Sequence, residues 1–471
     1  MRISLTGNDN LTRYGSDHWS GRPKFRHLLG GHPRHCFYIK ATAAMRFPVP
    51  RFATPIMSLS PEQVQIIRST VPALQAHGNA ITTRFYSTLL SEVPSLNAVF
   101  NQANQANDHQ AQALASALYA YALHVDDLGA LSPAIEKICH KHASLYIKAE
   151  HYAVVGEYLL RAMGDVLGSA LTPDILSAWA TAYEQLAGVM IAREAELTKS
   201  TRGWDEWREF VITKKSRESD EITSFYLEPV DKKPLPLYRP GQYISVLTHV
   251  PQLQYEQSRQ YSLSGAPNHE RYRISVKKEK GIQLGHPDAL THPGYISNVL
   301  HDRKSAGDSV KVSHPFGEFF WDPEADRHKP VVLLSAGVGI TPLIAILDTM
   351  VAQGAEQRIS FVHASRSSSV RAFSEHMREV AASHSNVTYT SFIKSPLSTD
   401  VEGHDYHKQG RLQISALDMK RDLLTDHNDA LYFICGPESF MTESCSALQK
   451  LGISRSQIRL EIFGTGATPS L

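Results

Sequence analysis

The sequence predicts a multidomain protein in which an all-α domain is followed by an antiparallel β-barrel and then by an α/β doubly wound domain. Residues 57–201 keep apolar side chains at helical spacing. Residues 202–326 switch to short β-branched and aromatic strands, and residues 327–471 alternate strand with helix. A chain of 471 residues has room for about three such domains.

Composition narrows the classes of function. The 48 basic and 47 acidic side chains nearly balance, so the charge does not point to a nucleic-acid partner. No uninterrupted apolar stretch approaches the roughly 20 residues that a transmembrane segment requires. The cysteines show neither metal-ligand nor redox spacing, so we expect free thiols. They are Cys36, Cys139, Cys435 and Cys445.

Residues 1–56 have a different composition from the rest of the chain. Arginine and lysine are frequent here, whereas Asp9 and Asp17 are the only acidic residues. A basic, acid-poor and hydroxyl-containing segment is typical of a mitochondrial targeting peptide, and we expect a mitochondrial location on this ground. The alternative is a disordered tail or an early start codon, since Met57 begins a well-formed domain, and the location would then be cytoplasmic.

Helix-start signals support the all-α assignment of residues 57–201. Ser60-Pro61-Glu62-Gln63 has the pattern of a capping box with proline in the first turn. Thr172-Pro173-Asp174 predicts another helix start of the same kind. A further helix is predicted to begin with Ser132 as its N-cap and Pro133 at the first helical position.

His142 lies on the apolar face of that last helix. The stripe from Ile135 to Leu145 has apolar residues at spacings of three and four, and His142 falls on it. An imidazole on such a face needs a partner. A haem iron is one candidate, and a hydrogen bond to a backbone carbonyl is the other.

Separated signatures in this region resemble the globin domain of a flavohaemoglobin. They are Phe85-Tyr86, Val99 to Gln105, Gln110, Leu114, Lys141-His142, Tyr152 to Glu157 and Arg193 to Glu196. The resemblance implies that His142 is the proximal ligand of a haem b iron and that Phe100 contacts the haem edge. It also implies that Tyr86, Gln110 and Leu114 line the distal pocket.

The residue types suit these roles. A ligating imidazole needs an acceptor for its second N–H group, and the resemblance implies that Tyr152 and Glu194 form that acceptor. An anionic partner makes the imidazole a stronger donor, which favours oxygen activation over oxygen storage. The hydroxyl of Tyr86 can hydrogen-bond a diatomic ligand. The resemblance makes Lys141 a residue that tunes the haem potential, with a solvent-exposed helix lysine as the alternative.

The second domain carries a motif with flavin chemistry. Strands are predicted at residues 209–213, 222–227, 238–243, 259–263 and 272–277. Arg259-Gln260-Tyr261-Ser262 resembles the flavin motif of the ferredoxin–NADP reductase superfamily, and Tyr243 belongs to the same predicted site. The resemblance implies that Tyr261 stacks on the flavin of FAD, that Arg259 contacts a phosphate and that Ser262 approaches the reactive flavin nitrogen. The alternative is an ordinary sheet strand.

A second flavin segment is expected at Gly294 to Leu300, which resembles its counterpart in the same superfamily. Gly294 and Ser297 would lie where a helix N-terminus faces the pyrophosphate. The alignment of the longer stretch before it, from Gly281 to Pro293, stays open.

The third domain has a glycine-rich turn between a buried strand, Val331 to Ser335, and a helix. Such a turn lets backbone N–H groups approach a pyrophosphate, and the helix dipole assists them. The residues of this turn are Gly337, Val338, Gly339, Ile340, Thr341 and Pro342. Cys435 and Gly436 match the superfamily's nicotinamide domain, so NAD(P)H is the implied nucleotide. Cys435 can equally be a small buried residue at the end of a strand.

Two features bear on how the nucleotide and flavin are held. Arg366 follows a predicted strand and is either a ligand of a 2′-phosphate or a solvated surface arginine. The closing segment Glu461-Ile462-Phe463-Gly464 resembles that of the family. The resemblance implies that Phe463 covers the flavin and that Glu461 tunes electron transfer between flavin and haem.

Together these resemblances imply a nitric oxide dioxygenase. Electrons from NAD(P)H would pass through FAD to the haem, and NO and O2 would be converted to nitrate, which detoxifies NO under nitrosative stress. The alternatives are a haem-based O2 or NO sensor and an NAD(P)H oxidase or reductase whose globin domain has lost haem. The expected partners are the small molecules NO, O2 and NAD(P)H, and a monomer is the expected state.

Overall fold

Helices make up the first part of the computed structural model, which describes residues 58–100, 109–281 and 293–463. The predicted targeting segment, residues 1–56, therefore lies outside the described residues. The helices are α1 (Pro61–Ser69), α2 (Val71–Glu92), α3 (His109–Leu123), α4 (Ser132–Ser144), α5 (Ala149–Leu167) and α6 (Pro173–Ser200). Their shared core contains the buried side chains of Phe85, Leu159 and Trp179.

The capping signals predict two of these helix starts correctly. The Ser60 hydroxyl accepts the Gln63 N–H at 3.2 Å, and the Gln63 side chain accepts the Ser60 N–H at 3.0 Å. The Thr172 hydroxyl likewise accepts the Ile175 N–H at 3.4 Å and starts α6. Local sequence is sufficient here because each cap is satisfied within one turn.

The predicted N-cap of α4 is wrong by one residue. Ser132 is already helical, and Leu131 is the N-cap without a side-chain hydrogen bond. A 3-10 helix, Leu128–Leu131, runs directly into α4, and the Asp127 side chain caps that shorter helix instead. The start signal therefore lies one turn upstream of the place where serine and proline suggested it.

The second module is an antiparallel sheet that closes on itself. Its strands are β1 (Arg208–Arg217), β2 (Ile222–Pro229), β3 (Tyr243–Val250), β4 (Tyr255–Ser262), β5 (Tyr272–Lys277) and β6 (Ser309–Val312), in the order β4-β3-β6-β1-β2-β5. A bridge between Leu263 and Ile274 joins the end of β4 to β5, which makes the sheet a barrel. Helix α7 (Tyr295–Asp302) follows β5.

One predicted strand, at residues 238–243, is displaced along the chain and shares only Tyr243 with the observed strand. The segment from Tyr238 to Gln242 is not part of the sheet, and β3 begins only at Tyr243. Gly241 causes the difference, because its φ of +112° is accessible mainly to glycine and turns the chain before the sheet begins. A Cβ at this position would also lie 2.6 Å from the Phe319 carbonyl oxygen.

The third module is a parallel sheet with helices in its crossovers. Its elements are β7 (Val331–Ala336), α8 (Ile340–Ala352), β8 (Ile359–Ser365), α9 (Ser374–Ser383), β9 (Val387–Ile393), β10 (Lys408–Gln409), β11 (Leu431–Cys435), α10 (Glu438–Lys450) and β12 (Ile458–Glu461). The strand order β10-β9-β8-β7-β11-β12 is that of a doubly wound fold. The order reverses between β7 and β11, where such folds bind ligands. The predicted fold class is thus confirmed.

Helix α4 is bonded directly to the barrel. The Ser245 hydroxyl donates to the Ser144 hydroxyl at 2.9 Å, and the Gly317 N–H donates to His140 Nδ1 at 3.0 Å. A second contact joins β4 to the segment after α2, where the Gln257 side chain donates to the Asn97 carbonyl oxygen at 2.8 Å. The helix that carries His142 is therefore held against the barrel that carries the predicted flavin motif.

Two expectations from composition can be compared with the described residues. Cys139, Cys435 and Cys445 are free thiols, whereas Cys36 lies outside the described range. Within residues 58–100, 109–281 and 293–463, no helix combines the length and the hydropathy needed to cross a bilayer.

Candidate active site

His142, Tyr152 and Glu194 form a hydrogen-bonded triad between α4, α5 and α6. His142 Nδ1 lies 2.8 Å from Glu194 Oε1 and 2.9 Å from the Tyr152 hydroxyl, which donates to the same carboxylate oxygen at 2.5 Å. Burial and the neighbouring Glu194 carboxylate raise the pKa of Tyr152, so its hydroxyl keeps the proton that it donates. Because a carboxylate only accepts, the imidazole proton belongs on Nδ1.

This arrangement leaves the other ring nitrogen of His142 available. Nε2 has no hydrogen-bond partner among the described residues, and the ring lines a cavity of about 400 Å³. A neutral imidazole whose Nδ1–H is held by a carboxylate is the usual form of a metal-ligating histidine. The chemistry of this donor therefore fits a haem iron.

The rest of the cavity also fits a haem. Its volume lies in the range of roughly 300–1,000 Å³ that is typical of small-molecule sites, and most of its lining is apolar. The lining includes Phe85, Leu96, Val99, Phe100, Leu114, Leu118, Val155, Leu159, Met163, Leu186 and Met190. Such a lining would hold the apolar body of a haem, and His142 would bind its iron.

The predicted distal residues line the same cavity. Tyr86 projects from α2 and is only 7% exposed, while Gln110 and Leu114 come from α3. The side chains of Tyr86 and Gln110 are hydrogen-bonded, and the Phe100 ring meets the Tyr86 ring edge-on with centroids 5.5 Å apart. Burial raises the pKa of Tyr86, so its hydroxyl stays protonated and can donate to a ligand.

The cavity of about 400 Å³ around His142, which we call the haem-type cavity, is lined in part by the strand that carries the predicted flavin motif. Ser258 and Gln260 of β4 line it, and so does Lys141 of α4. Burial, with repulsion from Lys137 and Arg259, lowers the pKa of Lys141 to about 8. The structure thus places Lys141 beside His142 and close to the predicted flavin-binding arginine.

The predicted flavin residues meet on β3 and β4. Gln260 donates to the Ser245 hydroxyl at 3.2 Å, and Tyr243 pairs with Ser262 across the strands. Arg259 and Tyr261 interact electrostatically, and burial lowers the pKa of Arg259 to about 10, which leaves the guanidinium charged at neutral pH. An aromatic face, a cation and a hydroxyl therefore lie along one strand, as flavin binding requires.

Gly294 and Ser297 form the start of α7. Gly294 is the N-cap, and the Ser297 hydroxyl donates to its carbonyl oxygen at 3.2 Å. A Cβ at Gly294 would lie 2.6 Å from the Ser297 hydroxyl oxygen. Glycine is therefore required by packing at this helix start. The approach of a pyrophosphate to the N-terminus of α7 stays an implication of the family resemblance.

Glu461 lies at the end of β12 and is 8% exposed. Burial and the nearby Glu318 carboxylate raise the pKa of Glu461 to about 8. Lys137 of α4 and Tyr243 of β3 interact electrostatically with it. Glu461 is thus a largely protonated acid where the three modules meet.

A second cavity, of about 830 Å³, opens at the point where the strand order reverses. The predicted residues Gly337, Val338, Gly339, Gly436, Ile462 and Phe463 line it. Gly339 is required by packing, because a Cβ there would overlap with the carbonyl oxygen of Cys435. This close approach brings the first turn of the module against the end of β11.

Some predicted nucleotide residues do not reach the cavity wall. Cys435 is fully buried behind it, and burial raises the pKa of its thiol well above the usual value, so no thiolate forms there. Ile340, Thr341 and Pro342 are buried within the first turn of α8. Gly464 lies outside the described residues.

Sequence reasoning missed several residues of the second cavity. Ser365, Lys394 and Arg411 line it at or just beyond the ends of β8, β9 and β10, and Gln112 and Ser116 line it from α3. Ser365 has a local signal, because it stands just before Arg366 at the end of a predicted strand, whereas Lys394 and Arg411 follow β9 and β10, which the sequence pattern did not predict. The second group has no local signal, because the packing of the modules brings α3 to the nucleotide module.

Comparisons with known proteins decide the family. A globin family model matches residues 83–190, and a model of the oxidoreductase NAD-binding domain matches residues 333–446. The flavohemoprotein of Bordetella parapertussis is 43% identical over 413 residues, which cover 87% of this chain and 99% of that protein. This chain belongs to the flavohaemoprotein family. The flavohemoprotein of Bacillus subtilis is 42% identical over 410 residues, covering 86% of the chain and 98% of that protein.

A solved structure supports the same assignment for this flavohaemoprotein. The crystal structure of flavohemoglobin from Malassezia yamatoensis with bound FAD and heme aligns with a TM-score of 0.72 and 26% identity, covering 87% of this chain and 100% of that one. The predicted family and the predicted cofactors haem, FAD and NAD(P)H are confirmed. The chain is an NAD(P)H-dependent oxidoreductase in which a globin is fused to a reductase.

Proposed function

We propose that this flavohaemoprotein is a nitric oxide dioxygenase that uses NAD(P)H to convert NO and O2 into nitrate. The observation that supports this best is the Glu194 carboxylate bonded to His142 Nδ1 at 2.8 Å. An anionic acceptor strengthens electron donation by the ligating imidazole and favours oxygen chemistry over reversible storage. One NAD(P)H supplies two electrons, which suffice to convert two NO and two O2 into two nitrate ions.

On the proximal side, this chain's residues fix one protonation state. Haem and FAD, when bound, supply the oxygen chemistry and divide the electron pair of the nucleotide. Glu194 and Tyr152 keep the proton of His142 on Nδ1, so Nε2 would be the atom that holds the haem iron. Because Glu194 is 6% exposed, its negative charge is poorly screened by water.

On the distal side, the chain provides one donor in an apolar pocket. The Tyr86 hydroxyl can donate to negative charge that develops on a diatomic ligand, and Gln110 orients that hydroxyl. Leu114 and Phe100 line the pocket beside them and exclude water. Such a pocket admits small neutral molecules such as NO and O2.

On the reductase side, the proposed electron path is short because residues of one predicted cofactor site also line the cavity of the next. Ser258 and Gln260 of β4, the strand with the predicted flavin motif, line the haem-type cavity. Ile462 and Phe463, near the end of the described chain, line the second cavity of about 830 Å³, which we call the nucleotide cavity. Arg259 would bind a flavin phosphate and Ser262 would face the flavin ring. Glu461, protonated at neutral pH, would hold a proton where the modules meet.

The proposal is tested by NO consumption. Protein loaded with haem and FAD receives NADPH and NO, with and without O2, while NO is followed with an electrode and nitrate is assayed. We expect rapid loss of NO only when O2 is present, with one nitrate per NO. Slow NO loss with a normal haem spectrum would favour a sensor, and rapid NADPH oxidation without nitrate would favour an oxidase.

The cellular location stays a prediction. The relatives named above from Bordetella and Bacillus are bacterial proteins and give no support to a mitochondrial location. Residues 1–56 fused to a fluorescent reporter test the targeting. Mitochondrial fluorescence that disappears when the segment is deleted would support it, and a cytosolic signal from the fusion would end the claim.

A further inference from the structure

We infer that the nucleotide cavity selects NADPH over NADH, because Ser365, Arg366, Lys394 and Arg411 form a site for the 2′-phosphate of its adenosine ribose. The inference rests on the proposed function in one respect, namely that this cavity takes the reducing nucleotide. It goes beyond that function by assigning the phosphorylated nucleotide as the substrate. All four residues line the cavity of about 830 Å³.

Backbone hydrogen bonds hold the site together at the carboxyl ends of β8, β9 and β10. The Lys394 N–H donates to the Ser365 carbonyl oxygen at 3.0 Å, and the Ser395 N–H donates to the Arg366 carbonyl oxygen at 2.9 Å. The Gly410 N–H donates to the Ile393 carbonyl oxygen at 2.8 Å, so Arg411 begins beside Lys394. The sheet itself therefore brings the three cationic side chains to one edge.

The charge of this edge is not balanced. Arg366 forms an ion pair with Glu221 of the turn before β2. Within the described part of the chain, Lys394 and Arg411 have no ion-pair or hydrogen-bond partner for their side chains. The other carboxylates of the lining, Glu438 and Glu443, belong to α10 on the far side of the strand-order reversal. A doubly charged phosphate would compensate the two unpaired cations and compete with Glu221 for Arg366.

Ser365 provides a second and independent observation. Its side chain is 9% exposed, and its hydroxyl has no hydrogen-bond partner among the described residues. A buried hydroxyl without a partner is unfavourable, because it loses its hydrogen bonds to water. Ser365 lines the same cavity as the three cations, so a phosphate oxygen bound between them would satisfy this hydroxyl.

The position of the site in the fold agrees with this chemistry. In dinucleotide-binding folds the end of the second strand faces the adenosine ribose, where an acidic residue binds the free hydroxyls of NADH. Here the glycine turn follows β7, the second strand is β8, and Ser365 and Arg366 stand at its end. An arginine at this place accommodates a 2′-phosphate instead. The largely exposed Arg366 side chain can therefore reach such a phosphate at this place.

Binding of nucleotide fragments tests the inference without any turnover. The full chain loaded with haem and FAD is titrated calorimetrically with 2′,5′-ADP and with 5′-AMP, which differ by the 2′-phosphate. We expect 2′,5′-ADP to bind at least about tenfold more tightly at low salt, with a smaller advantage at high salt. Equal affinities for the two fragments would overturn the inference.

Variants assign the effect to these residues. Arg366→Ala and Lys394→Ala should each weaken 2′,5′-ADP about five- to tenfold while leaving 5′-AMP unchanged. Glu221→Gln should tighten 2′,5′-ADP, because it frees Arg366. Arg327→Ala removes an exposed arginine that does not line the cavity and serves as the matched control. Equal losses for both fragments, or no loss for either, would contradict the assignment.

The outcome is separable from that of the proposed function. Anaerobic reduction of FAD by NADPH and by NADH, followed by stopped flow, reports the preference without NO or O2. A preference for NADPH without nitrate formation would reject the dioxygenase and keep this inference, whereas nitrate formation with equal use of both nucleotides would do the reverse. If Arg366→Ala lost its flavin spectrum, Ser365→Ala would carry the test, with the same expected selective weakening of 2′,5′-ADP.

Discussion

The Tyr152 hydroxyl donates to the Glu194 carboxylate across 2.5 Å, and both groups contact the same nitrogen of His142. His142, the proposed haem ligand, is therefore held by a buried anion that is itself oriented by a second side chain. A carbonyl acceptor would orient the ring equally well but would bring no charge. Because of this difference, the proposed dioxygenase function depends most on the proximal side of the haem-type cavity.

Replacing Glu194 by glutamine should remove that charge and keep the shape. We expect Glu194→Gln to retain haem, to raise its reduction potential and to slow NO consumption about 10- to 100-fold, as losses of such outer partners commonly do. Potentiometric titration of the haem absorbance measures the shift. An unchanged potential would show that Glu194 does not act on the haem through His142.

Removing the imidazole should separate the two cofactors. We expect His142→Ala to lose stoichiometric haem and to retain FAD that is reduced by NAD(P)H, because the predicted flavin residues of the barrel lie on β3 and β4, whereas His142 lies on α4. His151→Ala removes another histidine that lines the same cavity and should keep the haem. Full haem retention by His142→Ala would refute its assignment as the ligand.

The distal hydroxyl should hold the ligand. Tyr86→Phe deletes one donor with little change in volume, so we expect bound O2 to dissociate faster by a factor that corresponds to about 1.5–3 kcal/mol. Flash photolysis and rapid mixing give the off-rate. Tyr121→Phe is the control, because Tyr121 lines the same cavity but donates to the Ala182 carbonyl oxygen at 3.1 Å. Equal effects of both variants would show that Tyr86 makes no specific contact.

Glu461 should make stability depend on pH. From the ordinary pKa of 4.5 up to about 8, the folded chain keeps a proton on Glu461 that the unfolded chain releases. Stability is therefore lost as the pH rises through this range, by at most about 1.4 kcal/mol per pH unit. Glu461→Gln has no carboxyl group to titrate and so lacks this pH-dependent loss of stability. The midpoint temperature of its thermal unfolding should therefore fall less between about pH 5 and pH 8 than that of the parent protein. Parallel pH profiles would contradict the raised pKa.

How much the sequence predicts depends on how local each feature is. The caps at Ser60 and Thr172 are satisfied within a few residues, so pattern alone predicts them. The bond between Ser144 and Ser245 spans the helical module and the barrel, and no sequence spacing indicates it. The predicted N-cap of α4 at Ser132 is wrong for a related reason, because a preceding 3-10 helix changes which residue is the cap.

The site shows the same division. The family resemblance indicates His142, Tyr152 and Glu194 as site residues, but the distances between them result from the packing of three helices and have no sequence signal. Lys394 and Arg411 lie far apart from Arg366 in the sequence and meet only through the parallel strands. Packing likewise places Cys435 behind the cavity wall and not on it, which strand position alone could not indicate.

The most direct test of the dioxygenase is the origin of the oxygen atoms in nitrate. Protein loaded with haem and FAD is supplied with NADPH, unlabelled NO and ¹⁸O2, and the nitrate is analysed by mass spectrometry. We expect each nitrate to carry two labelled oxygen atoms, since both atoms of O2 join the nitrogen of NO. Nitrate that carries one labelled atom or none, or NADPH oxidation without nitrate, would contradict it.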